Sequence, residues 1–162
     1  MKLIRTLKGG FVFRLSPREK LLLSETVKFY PLVPASHHHL NKEGKSAKAD
    51  ENQRLLEESL AEHRAENRRL VLAMLDEPKR FRETKTGFEL KLTHSEVEWL
   101  LQVLNDVRVG SWLALGEPEH EEMPEVTEEN AKYYFALEIS GLFQSFLLEA
   151  LGVSEKSEWA AE

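Results

Sequence analysis

Three groups of polar residues in this chain have the composition of a chemical site. The first is Asn105-Asp106-Val107-Arg108, which interrupts an otherwise apolar helical stretch. A guanidinium beside a carboxylate and an amide can hold an anion, or a ligand that both donates and accepts hydrogen bonds. At about 100° per residue, Glu98, Gln102, Asn105 and Asp106 share a polar face, whereas Arg108 falls near Val97, Leu101, Leu104 and Leu115. That phase sets Arg108 on the core side, where it needs acceptors, because an unpaired buried charge is prohibitive. The favoured expectation is a structural ion pair or bonds to helix-end carbonyls. The rival is a ligand carboxylate or other anion held by Arg108.

The second group is His63 and Asn67, one helical turn apart. In a seam made of Gln53, Leu56, Leu60, His63, Asn67, Leu70 and Met74 they form a polar layer, of the kind that fixes helix register. No Ser, Cys or paired acid stands near His63 in the sequence, so no catalytic residue is assigned. The third group is histidine-rich: His37-His38-His39 in a Pro-flanked stretch, and His120 among Glu119, Glu121 and Glu122. Imidazole binds zinc, nickel and copper, and His37 with His39 is the weak metal alternative. Adjacent histidines in a loop rarely close a tetrahedral site, so the expectation is no obligatory metal and no cofactor.

The elements that must position these residues are legible from local signals. "LIRTL" and "FVFRL" flank Lys8-Gly9-Gly10, which reads as a β-hairpin. Ser16, Pro17 and Glu19 then give a helix N-terminus with a capping box, and the helix is expected to run to about Tyr30, before Pro31. The same instruction recurs at an offset of 96 − 19 = 77: Arg5, Lys8, Gly10, Phe11 and Leu15 match Arg82, Lys85, Gly87, Phe88 and Leu92, and Thr93 with Glu96 repeats the capping box. Between the two copies lie a loop at 31–49 and a long helix at about 50–76. A helix from His94 to about Leu115 carries the Asn-Asp-Val-Arg run. After the acidic loop 116–126, Thr127 caps a last helix, expected to stop at Gly152. That helix is apolar nearly all round, and Gly141 with Ser145 would allow another helix to approach closely.

With 22 Lys and Arg against 28 Asp and Glu, the net charge is −6, which disfavours nucleic acid. The absence of cysteine excludes disulfides, thiolate metal sites and a Cys nucleophile. The N-terminus lacks the apolar core of a signal peptide, and no unbroken apolar run reaches the roughly 18 residues of a membrane span. The chain is therefore expected to be cytoplasmic, with no membrane contact.

"LNDVRVGSWLALG" and "YYFALEISGLFQSFLLEALG" resemble a bacterial family of unknown function, domain-of-unknown-function family two thousand and seventeen. The resemblance runs along the chain, and Leu104-Asn105-Asp106-Val107-Arg108 is its most specific part. It implies an opening hairpin and leucine-rich helix, a charged long helix and a final aromatic-rich helix, with no established activity. It also implies a gene often beside that of the Clp-protease adaptor, and hence a setting in protein quality control. The chain departs from the family in its His- and Lys-rich loop before the long helix, and in Trp112 after the Asn-Asp-Val-Arg run.

The expected fold is α+β, four main helices on an antiparallel sheet built from two hairpins, with a possible pseudo-two-fold. One domain spans 1–152, and 153–162 form a tail in which Trp159 could dock. The leading functional expectation is a non-enzymatic interaction or regulatory protein, acting as a homodimer or on a protein partner. The alternatives are a small-molecule-binding domain or minor enzyme using Arg108, and a transcriptional regulator.

Overall fold

A computed structural model describes residues 1–34, 47–77, 79–119 and 123–159. The elements run β1 (Lys2–Leu7), β2 (Gly10–Leu15), α1 (Pro17–Val27), α2 (Ala47–Asp76), β3 (Phe81–Thr84), β4 (Gly87–Thr93), α3 (His94–Ala114) and α4 (Ala131–Trp159). The strands make one antiparallel sheet in the order β1-β2-β4-β3, so the fold is α+β as expected.

The doubled sequence becomes a doubled structure. Ser16 and Thr93 each accept a bond from the Glu three residues on, and Glu19 and Glu96 each reach back to the cap amide, so both capping boxes form. The two hairpins join through β2 and β4, where Phe13 lies opposite Leu90. Since 90 − 13 = 77, equivalent positions face each other there, and a pseudo-two-fold passes between them. The symmetry ends after the caps: α1 has 11 residues and α3 has 21.

The core lies on one face of the sheet. Phe11, Phe13, Leu15, Leu90 and Leu92 meet Leu23 and Val27 of α1, Val97, Leu100, Leu104 and Val107 of α3, and Phe143 and Leu147 of α4. At roughly 25 cal/mol per Å² of apolar surface, fully burying each large side chain favours folding by about 1.5–3 kcal/mol. Helix α4 packs mainly along α3 and buries Ala136, Ser140, Phe143, Leu147 and Ala150. Contrary to the reading of apolar runs, Ala131–Gly152 is long and apolar enough to cross a membrane, by length and composition. Its packed stripe against α3 is also what a core helix presents.

Four boundaries or phases differ from expectation. Helix α1 stops at Val27, because the Phe29 and Tyr30 amides turn back to the Thr26 and Val27 carbonyls ahead of a cis Tyr30–Pro31 bond. Thr127 and Asn130 bond reciprocally, side chain to amide, in a turn before α4, which starts at Ala131. Helix α4 also runs through Gly152 to Trp159: Gly152 does not adopt the positive φ that ends α3 at Gly116. In α2 the buried or half-buried residues include Gln53, Leu56, Glu57, Leu60, Arg64, Asn67, Val71 and Met74. The expected seam holds at 53, 56, 60, 67 and 74, but His63 and Leu70 face outward, and Arg64 and Val71 face in.

Candidate functional site

The Asn-Asp-Val-Arg run of α3 divides into two environments. Asp106 points toward the segment that leaves α1. Its Oδ1 accepts from the Leu32 amide at 2.6 Å and the Val33 amide at 3.2 Å, and its Oδ2 lies 3.6 Å from Arg64 of α2. Arg64 in turn donates to the Val33 carbonyl at 2.7 Å. The Asp106 and Arg64 side chains are 13% and 15% exposed, so this is a largely desolvated clamp that joins α3, α2 and the 30–33 segment. One turn further on, a Cβ on Gly110 would meet Leu32 at 2.7 Å, so glycine is what lets that segment lie against α3. Asn67 stands 3.5 Å from both the Tyr30 hydroxyl and His63 Nδ1. Tyr30, Val33, Leu60, His63, Arg64, Asn105 and Asp106 thus surround one cavity of about 360 Å³. The two polar groups recognised separately in the sequence converge here, at its rim and wall, although His63 is exposed rather than part of a buried layer.

Arg108 departs in the other direction, and the expectation of a core guanidinium is corrected. It is exposed, and its stem lies beside α4, with Cδ 3.8 Å from a Cβ built on Gly141. The helical wheel set it near Leu104, but the buried stripe is centred on Leu100, Leu104, Val107 and Ser111, and Arg108 sits at its rim. From the rim a long side chain can cover apolar surface and keep its charge in water. Arg108, Trp112, Met123, Glu138, Leu142 and Ser145 are among the residues lining a concavity of about 600 Å³ between α3 and α4. Trp112, Met123 and Leu142 are 37%, 38% and 44% exposed there, and Trp112 Nε1 donates to the Pro118 carbonyl at 3.1 Å. Among the described residues, neither Arg108 nor Glu138 forms an ion pair.

Comparison with known proteins adds one finding. A family model for a domain of unknown function, DUF2017, matches residues 31–151, which is 151 − 31 + 1 = 121 of the 162 residues. The chain belongs to the DUF2017 family. No curated protein and no solved structure matches it. The DUF2017 match takes in α2 to α4, hence both the Asp106 clamp and the Arg108 concavity, and begins after the first hairpin and α1.

In this DUF2017 chain the residues missed from sequence are those whose role depends on a distant segment. In the sequence Arg64 is one of many α2 charges, and the signal at Gly110 is a break in the leucine pattern of α3. Of the other sequence candidates, His37, His39 and His120 and the Trp159 side chain lie outside the described residues. Among the described residues, no group of three or more His, Asp or Glu side chains is placed to hold a metal ion.

Proposed function

We propose that the protein is a non-enzymatic interaction protein whose partner at the α3–α4 concavity is a second copy of itself. The carrying observation is that one exposed concavity, lined by Trp112, Met123 and Leu142, contains both a cation, Arg108, and an anion, Glu138, neither of which forms an ion pair among the described residues. In a two-fold interface residue i meets j while j meets i, so such a surface is self-complementary. Arg108 of one copy meets Glu138 of the other, twice over, around Trp112 and Leu142. Aromatic and Arg anchors inside an apolar patch are the groups that dominate association energies. Gly141 keeps the wall shallow there, which lets the second helix approach.

The small-molecule reading has one observation in its favour: the Arg108 guanidinium stands in a concavity without a bonded carboxylate among the described residues. An anion there would meet Glu138 in the same concavity, which favours the reciprocal pair. The other candidate residues support a non-catalytic reading, since both Asp106 oxygens already hold backbone amides or Arg64. Light scattering on a size-exclusion column tests the proposal. The expected result is a dimer that Leu142→Glu converts to monomer without loss of helicity. A wild-type monomer at every concentration, with phosphate or citrate binding at Arg108 by calorimetry, would transfer the case to the ligand reading.

A further inference from the structure

The net charge of −6 conceals a strongly cationic surface. Strand alternation sends Phe11, Phe13, Leu15, Leu90 and Leu92 to the helical face of the sheet, so their neighbours emerge on the other. The register places Lys2 opposite Arg14, Arg14 opposite Glu89, and Glu89 opposite Arg82 in one row across all four strands. In the adjacent row Arg5 stands opposite Val12, which is fully buried, and Val12 opposite Lys91. Lys2, Arg5, Arg14, Arg82 and Lys91 are all exposed. The carboxylate on this face, Glu89, is 8% exposed and bonded to Arg82. Among the described residues, Lys2, Arg5, Arg14 and Lys91 form no ion pair.

Charges on an edge strand have a bland role, since they deter edge-to-edge aggregation. That explains Lys2 and Arg5 on β1. It does not explain Arg14 and Lys91, which sit on the two central strands, where each backbone edge is already paired. Nor do these cations stabilise one another, since like charges on neighbouring strands repel.

We propose that this sheet face docks an acidic segment of a partner protein. Side chains of an extended segment recur on one side about every 6.4–6.8 Å, and neighbouring strands are about 4.8 Å apart, so alternate carboxylates can each reach a cation of the face. The face already holds one carboxylate in this way, Glu89 on Arg82. It carries no aromatic residue in the two rows that would stack a base, which argues against single-stranded nucleic acid. The site is separate from the α3–α4 concavity and does not depend on dimerisation.

Fluorescence anisotropy tests it with a labelled peptide of alternating glutamate and serine, at low and at physiological salt. Duplex DNA, polyuridylate and phosphatidylserine vesicles are run in parallel. Wild type is expected to bind the peptide more tightly than the three competitors, with affinity falling as salt rises. Arg5→Glu with Arg14→Glu is expected to weaken it by about tenfold or more, since two attractive contacts are replaced by two repulsive ones. Arg5→Ser with Arg14→Ser serves if the reversal disturbs folding, and Arg68→Glu, exposed on α2, is expected to leave binding unchanged. Absence of peptide binding at low salt, tighter binding of DNA, RNA or vesicles, or equal losses in the Arg68→Glu control would each overturn the proposal.

Discussion

Removing the Asp106 carboxylate should cost far more stability than removing the Arg108 guanidinium two residues away. Asp106 accepts amides from Leu32 at 2.6 Å and Val33 at 3.2 Å while 13% exposed, so Asp106→Ala strands two backbone donors and removes the Asp106 charge beside Arg64. A hydrogen bond to a charged group contributes about 1.5–3 kcal/mol, and the longer bond and partial exposure put this pair toward the low end. The expected loss is about 3 kcal/mol for Asp106→Ala and about 1–2 kcal/mol for Asp106→Asn, whose amide oxygen can still accept. For Arg108→Ala it is within about 0.5 kcal/mol, as for other exposed substitutions. Urea unfolding followed by far-UV circular dichroism reads the global loss. Amide hydrogen exchange at Leu32 and Val33 reads the local one, and protection should collapse there first. A double-mutant cycle with Arg64→Ala should give a coupling of about 0.5–1 kcal/mol, given a 3.6 Å separation near the surface. An Asp106→Ala variant that loses less than about 1 kcal/mol and keeps the Leu32 and Val33 amides protected would refute the clamp.

Two further outcomes follow from backbone geometry. Gly110→Ala drives a methyl to 2.7 Å from Leu32, so it should lower the urea midpoint by the equivalent of about 1–3 kcal/mol and loosen the same two amides. Gly152→Ala should raise stability by up to about 1 kcal/mol in the same assay, because the helix passes through this position with no atom within 4 Å of the added Cβ. A loss there would mean that α4 ends at Gly152.

What the sequence disclosed was local. The capping boxes at Ser16 and Thr93, the glycine turns and the offset of 77 are short-range signals, and each became a structural element at the expected place. The wheel of α3 failed for Arg108 because it ranks residues around one helix. Where the rim begins is set by α4, which the wheel does not contain. The phase of α2 departed similarly beyond residue 60, since 60-63-67-70 and 60-64-67-71 are both alternating patterns, and packing against the 30–33 segment chose the second. The meeting of His63 and Arg64 with Asp106 spans about forty residues of sequence and depends wholly on that packing. The cationic sheet face is written in the alternation of the strands, but the net charge of −6 averages it away. Charge distribution, once the register is known, says more about partners than charge total.

The most direct measurement for the proposed self-association is the molar mass, by light scattering, of Arg108→Glu and Glu138→Arg variants, alone and mixed. Each variant alone places like charges opposite each other twice across a two-fold axis and is expected to be a monomer. The equimolar mixture restores both pairs and is expected to be a heterodimer. Dimers that persist in each variant alone, or a mixture that remains monomeric while wild type dimerises, would contradict the account.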